Sequence, residues 1–292
     1  MKRHLVDGGE ARAVDDYAPA DAVGHRVVHG GARFVAPALI DQEVIAAIEE
    51  LRALAPLHNE PALRAIREAR SRLPEIRHVA VFDTAFMAEI PDEAATYAIP
   101  RRWREEWGVR RYGFHGLAVQ SVVERLDATR IVACHLGGGC SVTAVLDGKA
   151  VDTSMGFSPL EGVPMATRSG SIDPGALVYL LRERGLTVDE LDRELEHESG
   201  LAALGGLDDE LGFAVYTYRI AGAAAQMAMA LGGLDVLAFS GGVGENRADV
   251  RDAVAARLRF VGEFRVEVVP AREELVIAAA VRELLAGRPG RA

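Results

Sequence analysis

The chain has 292 residues, 49% of them hydrophobic, which is enough for one large core or two ordinary ones. Its formal net charge of −10 at pH 7 argues against nucleic acid or an anionic membrane as the main partner. The N-terminus has no apolar signal region, and no apolar run approaches the roughly 18 residues of a membrane span. We therefore expect a cytoplasmic protein that binds neither nucleic acid nor membranes.

The first third of the chain predicts strands alternating with helices. Residues 1–20 are polar and lack a period, so we expect a frayed start there. After them the pattern predicts a strand, two helices, a buried strand and an arginine-rich helical stretch over residues 21–28, 41–54, 61–73, 76–82 and 91–107. The buried strand ends in Asp83 and Thr84. Because α/β proteins usually place ligand contacts at strand ends, Asp83 is a candidate site residue.

A glycine-rich hairpin is predicted in the middle of the chain. Two β-rich runs, 131–135 and 141–146, flank three glycines at 137–139, and such a turn points bare N–H groups at an anion. An Asp-Gly hairpin signal follows, and then a loop with hydroxyls, Arg168 and Asp173 that leads into a helix. Donors and a fixed positive charge beside a glycine turn are typical of a phosphate-handling site.

The hairpin also allows other interpretations. Glycine-rich hairpins occur in many proteins without a ligand, and the chain contains neither of the sequence motifs that define P-loop and Rossmann nucleotide sites. Cys134 and Cys140 flank the glycine turn. A disulfide between them is one possibility, and two small buried side chains in a reducing compartment is the interpretation that we favour.

The last third again predicts alternating elements. Helices are predicted over 176–184, 188–196, 208–231 and 273–285, and strands over 236–240 and 264–269. The strand at 236–240 enters the glycine-rich segment 241–246, and a helix is expected from Arg247. A strand, a glycine turn and a helix start form a second anion or nucleotide cradle. Together these elements predict an α/β architecture with two lobes and a cleft.

Sequence blocks spread over most of the chain carry a family pattern. Near the hairpin they are HLGGGCSVTAV, VDTSMGFSPLEG and TRSGSIDPG. The others are GHRVVHGG at 24–31, LAPLHN at 54–59, VFDTAF at 81–86, RRYGFHG at 110–116, FSGGVGEN at 239–246 and EELVIA at 273–278. In content and order these blocks resemble the acetate kinase family, which belongs to the superfamily of acetate and sugar kinases, heat-shock chaperones and actin. The resemblance runs from about residue 22 to about residue 282.

The resemblance implies a fold and a reaction. The fold is α/β, two-lobed and ribonuclease H-like, with a truncated first lobe over 1–115 on the carboxylate side and a second lobe over 116–292 for nucleotide and dimerisation. The reaction is transfer of a phosphoryl group from ATP to acetate or another short carboxylate such as propionate, with Mg²⁺ as cofactor. The family also implies a homodimer formed through the alanine-rich helix 208–231.

The resemblance implies a role for individual residues. Arg26 binds the carboxylate or acyl phosphate, Arg168 and His115 stabilise the phosphoryl group in flight, Asp83 orients the arginines or holds a magnesium shell, and Glu273 is the magnesium-side glutamate. An apolar pocket that admits a methyl group is formed by Val28, Leu57, Phe114 and Pro159, with His58 beside it. The nucleotide-binding positions are His135, Leu136, Gly137, Gly138, Gly139, Gly241, Gly242, Val243, Gly244, Glu245 and Asn246.

The chain also departs from the family pattern. The family's opening strand, with its phosphate loop, has no counterpart here, so we expect an incomplete first lobe. Gly138 and Ser171 stand where the family has asparagine and aspartate. The segment 200–208 is shorter than the corresponding segment of the family. A different class of function therefore competes with catalysis: a catalytically silent relative that binds a nucleotide or carboxylate and acts as a regulatory partner.

Overall fold

The computed structural model describes residues 3–7, 9–54 and 56–287, without side chains for residues 53–58. The chain forms two compact units. The first consists of Met1–Glu89, Phe114–Ser121 and Ala271–Ala292, and the second of Ile90–Gly113 and Val122–Pro270. The units are therefore interleaved along the chain, in contrast to the single boundary after residue 115 that the sequence suggests.

Strands and helices alternate along most of the described chain. The strands are β1 Arg3–Asp7, β2 Glu10–Val14, β3 Ala22–Val27, β4 Ala38–Leu39, β5 Arg77–Phe82, β6 Arg130–Leu136, β7 Cys140–Leu146, β8 Lys149–Thr153, β9 Val236–Ser240 and β10 Arg265–Val268. The helices are α1 Gln42–Glu50, α2 Pro56–Arg72, α3 Asp92–Ala95, α4 Arg101–Glu105, α5 Gly116–Val123, α6 Pro174–Glu183, α7 Val188–His197, α8 Gly200–Ala203, α9 Glu210–Ala230, α10 Gly241–Asn246, α11 Ala248–Arg257 and α12 Glu273–Leu285.

The described residues among the first twenty form a paired hairpin rather than a frayed start, so that expectation is wrong for them. Strands β1 and β2 pair antiparallel with continuous register from Arg3 opposite Val14 to Asp7 opposite Glu10. Both strands contact α12. The guanidinium of Arg3 lies 4.7 Å from the ring centroid of Tyr17 and pairs with Glu68. These long-range contacts order a segment whose composition alone resembles a disordered terminus.

A three-stranded sheet forms the centre of the first unit. Its order is β3-β5-β4, with β3 parallel and β4 antiparallel to β5. One core cluster joins the sheet to α1 and α2 through residues such as Val27, Ile48 and Phe82. A second cluster joins it to α12. A Cβ on Gly24 of β3 would lie 2.4 Å from Cγ2 of Ile277, so only glycine lets α12 approach this closely.

A five-stranded sheet of order β10-β9-β6-β7-β8 forms the centre of the second unit. Strand β9 is parallel to both of its neighbours, and β6, β7 and β8 form an antiparallel meander. The predicted Asp-Gly turn joins β7 to β8, and both of its residues have positive φ angles, 48° at Asp147 and 80° at Gly148. The long helix α9 packs against β6, β7 and β8.

Three predicted helical segments differ from the structure in detail. Helix α2 begins at Pro56 rather than 61 and carries Pro61 inside it. The stretch 91–107 contains two short helices, α3 and α4, each of which starts after a proline. The glycine-rich segment 241–246 is itself one short helix, α10, rather than a turn before a helix. The remaining predicted strands and helices are present with their ends within a few residues.

The two cysteines and the apolar character of the helices lie outside the candidate site. Cys134 and Cys140 are both free and buried, as favoured over a disulfide. Within the residues described, no helix combines the length and apolar composition that crossing a bilayer requires.

Candidate active site

Arg26 is the centre of an ion-pair cluster in the first unit. It leaves the carboxyl end of β3, and its Nε and Nη2 donate to the carboxylate of Asp83, with the shortest contact at 2.6 Å. Its Nη1 lies 2.9 Å from Oε2 of Glu273 at the start of α12. Burial favours the neutral form of Arg26, but the two carboxylates outweigh it and raise its pKa. The structure thus brings together three of the predicted site residues.

The two carboxylates that hold Arg26 differ in burial. The side chain of Asp83 is 1% exposed, whereas that of Glu273 is 25% exposed. Since a buried carboxylate without its cation costs several kcal/mol, Asp83 is the fixed anchor of Arg26. Glu273 is the partner that can exchange for a ligand at lower cost.

His115 and Phe114 lie next to Asp83 because of a close main-chain contact. The N–H of Gly116 donates to the carbonyl oxygen of Asp83 at 3.1 Å. A Cβ on Gly116 would lie 2.1 Å from that oxygen, so the contact requires glycine. His115 has φ 62°, a left-handed conformation that is uncommon for a non-glycine residue and is concentrated at functional sites.

The predicted acyl pocket is only partly described. Phe114 is 1% exposed, and its ring lies edge-on to that of His29, with centroids 5.3 Å apart. Val28 is half-buried directly after β3. The side chains of Leu57 and His58 lie outside the described residues, and Pro159 is buried in the second unit. The pocket stays a prediction.

Two carboxylates of the first unit agree in number with the protein ligands that Mg²⁺ usually takes. In the described part of the chain, no group of three or more His, Cys, Asp and Glu side chains is placed to hold a metal ion. Mg²⁺, however, usually takes one or two protein carboxylates and completes its shell with water and substrate phosphates. Asp83 and Glu273, which converge on Arg26, supply that number.

In the second unit, the glycine turn and the Arg168 loop are joined. The N–H of Ala166 donates to the carbonyl oxygen of Gly138 at 3.2 Å, and the N–H of Gly137 to that of Gly139 at 3.0 Å. A Cβ on Gly138 would meet nothing within 4 Å, so the turn is open on that side. The predicted phosphate-handling residues therefore do lie together here.

Arg168 is held at two of its three side-chain nitrogens. Its Nε lies 3.1 Å from Oε2 of Glu196, and its Nη1 donates to the carbonyl oxygen of Pro159 at 3.2 Å and contacts Sδ of Met165 at 3.5 Å. Sequence reasoning missed Glu196. The acidic, amphipathic helix α7 gives no sign that one of its carboxylates faces an arginine about thirty residues earlier.

The second glycine segment lies beside the first. A Cβ on Gly241 would lie 2.7 Å from the carbonyl oxygen of Leu136, and His135 Nδ1 is 3.0 Å from Ser240 Oγ across β6 and β9. The N–H of Gly241 does not point at an empty cradle, because it donates to Oε1 of Glu245 at 2.9 Å. Helix α10 is thus capped by its own carboxylate.

Sequence comparison connects the chain with a family of known chemistry. The sequence model of the Acetokinase family matches residues 9–277. An acetate kinase of Synechococcus sp. is 43% identical over 96% of this chain and 80% of its own length. An acetate kinase of Deinococcus deserti is 43% identical over 92% of this chain and 79% of its own length.

Solved structures agree with the sequence matches. A propionate kinase from Francisella tularensis is similar with a TM-score of 0.85 and 35% identity, over 89% of this chain and 78% of that one. An acetate kinase of Porphyromonas gingivalis is similar with a TM-score of 0.85 and 37% identity, over 93% of this chain and 80% of that one. The two-lobed fold expected from the sequence is therefore confirmed.

Proposed function

The chain belongs to the acetokinase family, and we propose that it transfers the γ-phosphoryl group of ATP to acetate or to another short carboxylate such as propionate. The products are ADP and an acyl phosphate. One observation carries the proposal: a cation, Arg168, is held at Nε and Nη1 beside a glycine turn that is open at Gly138, an arrangement that suits a phosphoryl anion.

The reaction needs little covalent help from the protein. A carboxylate oxygen of the acceptor attacks the γ-phosphorus in line, the bond to the β–γ bridging oxygen breaks, and ADP leaves with the electron pair. The acceptor is already anionic, so no base has to remove a proton from it. Charge spreads over the equatorial oxygens in the transition state, and positioning with electrostatic stabilisation accounts for most of the catalysis.

Arginine suits this role because it stays charged throughout and donates from a planar fork. We assign Arg26 to the acceptor carboxylate or acyl phosphate, and Arg168 with His115 to the phosphoryl group in flight. Asp83 orients Arg26 through bonds to its Nε and Nη2. A magnesium ion would neutralise charge on the nucleotide phosphates, with Glu273 as its protein-side carboxylate.

The acceptor and the nucleotide are assigned to separate groups of residues. From the family pattern we assign Val28, Leu57, Phe114 and Pro159 to the apolar pocket for a short acyl group, with His58 beside it. The nucleotide phosphates are assigned to the two glycine segments, 135–139 and 241–246, apart from the N–H of Gly241, which donates to Glu245. Both assignments rest on the match of these positions to the family pattern, supported by the adjacency of the two glycine segments.

We also propose a homodimer formed through α9. Its exposed face carries Leu211, Tyr218 and Met229, which are 60%, 66% and 71% exposed. Apolar side chains at helical spacing on an exposed face are typical of an interface. The free cysteines are consistent with action in the reducing cytoplasm. Sedimentation at micromolar concentration tests the dimer, and a monomeric mass would reject it.

Trapping of the product tests the reaction. Purified protein is incubated with ATP, Mg²⁺ and a series of carboxylates from formate to butyrate, and hydroxylamine converts any acyl phosphate into a coloured hydroxamate. We expect a signal with acetate or propionate and a decline with larger acids. No hydroxamate with any of the acids would refute the proposal.

A catalytically silent relative is the second candidate, because Glu245 already accepts the N–H of Gly241 in the second cradle. Calorimetry with ATP, ADP and pyrophosphate, with and without Mg²⁺, separates the two. Binding without turnover would favour the regulatory protein.

A further inference from the structure

Glu196 pairs with Arg168 in a place largely shielded from water. The side chains of Arg168 and Glu196 are 18% and 12% exposed. At the same end of α7, Arg193 and Glu198 form a second pair whose side chains are 55% and 52% exposed. Because screening by water weakens exposed pairs, the buried pair fixes its arginine far more firmly than the exposed one does.

The protein engages two of the three side-chain nitrogens of Arg168. Nε pairs with the carboxylate of Glu196, and Nη1 donates to the carbonyl oxygen of Pro159 and to Sδ of Met165. Among the described residues, Nη2 donates no hydrogen bond. Two contacts at Nε and Nη1 fix the plane of a guanidinium, so Nη2 is left with a defined direction and free N–H groups.

Main-chain bonds hold the two partners in register. The hydroxyl of Thr167 donates to the carbonyl oxygen of Glu196 at 2.8 Å, and the N–H of Ser169 donates to that of Leu195 at 3.1 Å. Gly200 has φ 64°, in the left-handed region, and lies so close to the loop that a Cβ would be 2.5 Å from the carbonyl oxygen of Arg168. These main-chain contacts therefore fix the positions of Arg168 and Glu196 relative to each other.

We propose that Glu196 is a positioning residue for phosphoryl transfer, a role that rests on the function proposed above. By holding Nε, it keeps Nη2 of Arg168 directed at the transferring phosphoryl group instead of leaving a long side chain to sample several rotamers. Its contribution belongs to the transition state, so it should affect kcat rather than KM for the carboxylate.

Variants of Glu196 test the role. We expect Glu196→Ala to lower kcat about 10- to 100-fold, since about 1 Å of misplacement can cost about 10²-fold, with little change in KM. Glu196→Gln, which can still accept from Nε, should recover most of that loss. Glu198→Ala, which removes the exposed carboxylate at the same helix end, is the matched control and should leave kcat unchanged.

A double-mutant cycle completes the test. In an Arg168→Ala background, Glu196→Ala should have no further effect on kcat, because the group that it positions is absent. Equal losses in both backgrounds, or a lower Tm with unchanged kcat, would overturn the positioning role while leaving the proposed reaction intact. No turnover by the wild type with any carboxylate would instead overturn the reaction, and this role with it.

Discussion

Two arginines of the second unit illustrate two uses of the same side chain. Arg111 donates from Nε to the carbonyl oxygen of Ala94, from Nη1 to the three carbonyl oxygens of residues 153–155, and from Nη2 to Glu161. Arg168 is fixed at Nε and Nη1 alone, with Nη2 left over. Every side-chain nitrogen of Arg111 is engaged by the protein, whereas Nη2 of Arg168 donates no hydrogen bond to the described residues.

The difference identifies the role of each arginine more clearly than charge or burial does. Both side chains are mostly buried, 14% exposed at Arg111 and 18% at Arg168, and both pair with a glutamate. What separates them is whether donors remain after the protein's own acceptors are satisfied. On this basis we interpret Arg111 as structural and Arg168 as functional.

Removing Arg111 is expected to cause the largest loss of stability. Arg111→Ala leaves Glu161 and several carbonyl groups without their donor, and breaking a buried pair typically costs about 3–5 kcal/mol. Urea denaturation measures the loss. Exposed Arg104 supplies the control, for which Arg104→Ala should change the free energy of unfolding by less than about 0.5 kcal/mol. A loss below about 1 kcal/mol for Arg111→Ala would contradict its structural role.

Removing Arg168 should instead affect turnover. We expect Arg168→Ala to lower kcat about 10²- to 10³-fold, because it removes a preorganised donor from developing charge. Its loss of stability should be smaller than that of Arg111→Ala, with Arg182→Ala as an exposed control. If Arg168→Ala unfolds the protein as readily as Arg111→Ala does, the distinction between the two arginines fails.

A substitution at Gly156 tests how tightly the Arg111 region is packed. An added Cβ would lie 1.6 Å from Oε2 of Glu161 and 2.0 Å from the hydroxyl oxygen of Tyr97. Overpacking of this kind typically costs about 1–3 kcal/mol, so Gly156→Ala should lower the urea midpoint. Gly138→Ala is the control, since a Cβ there meets nothing within 4 Å. Equal midpoints for the two variants would show that the region around Gly156 accommodates an added methyl group without loss of stability.

The arginine comparison should be made near neutral pH, because a histidine pair in the first unit makes stability pH-dependent. His25 Nε2 lies 2.9 Å from His78 Nδ1. Burial, followed by His78 and Arg70, lowers the pKa of His25 from 6.5 to about 3. The folded state therefore binds fewer protons, and stability present above pH 6.5 is lost as the pH falls towards 3.

At pH 5 the loss should reach about 2 kcal/mol, from about 1.36 kcal/mol for each pKa unit. The free energy of unfolding, measured by urea denaturation at pH 7 and pH 5, checks this. His197→Gln, at an exposed position, should keep the pH dependence, whereas His25→Gln should reduce it. A wild type that is equally stable at both pH values would refute the assignment.

The smallest effect is expected at Tyr97. Its hydroxyl donates to Glu161 and accepts from the N–H of Phe157 at 3.0 Å, and burial with the Glu161 bond raises its pKa. Tyr97→Phe should cost about 1 kcal/mol, the usual net value of such bonds. Exposed Tyr179→Phe should be neutral in the same denaturation experiment. A Tyr97→Phe protein as stable as the wild type would place Arg111 alone at the centre of the region.

Most strands and helices could be predicted from the sequence because they depend on local periodicity and turn chemistry. The Asp147-Gly148 turn and the helix after Asp173 are examples, and Asp173 Oδ1 does accept the N–H of Gly175 at 2.8 Å. The hairpin at 3–14 was not predicted, since its order comes from distant contacts with α12 and Glu68.

The candidate site was predictable only where a residue is part of a recognisable block. Arg26, Asp83 and Glu273 were named from the sequence, and the structure brings them together. Glu196 could not be found that way, because its partnership with Arg168 depends on how α7 folds back onto the loop. The number of side-chain nitrogens that the protein engages at Arg111 and at Arg168 could not be predicted either, because a sequence does not reveal which carbonyl oxygens a side chain will reach.

The contact between α12 and β3 has a consequence for biosynthesis. Unit two ends at Pro270, so all of its strands are synthesised before α12. Unit one needs α12, whose residues Val276 and Val281 complete one of its clusters. Domains generally fold as units during synthesis. The nascent chain should therefore be able to finish its second unit first and hold β3 and β5 uncovered on one face until α12 has been made, a period in which a chaperone would have an apolar surface to bind.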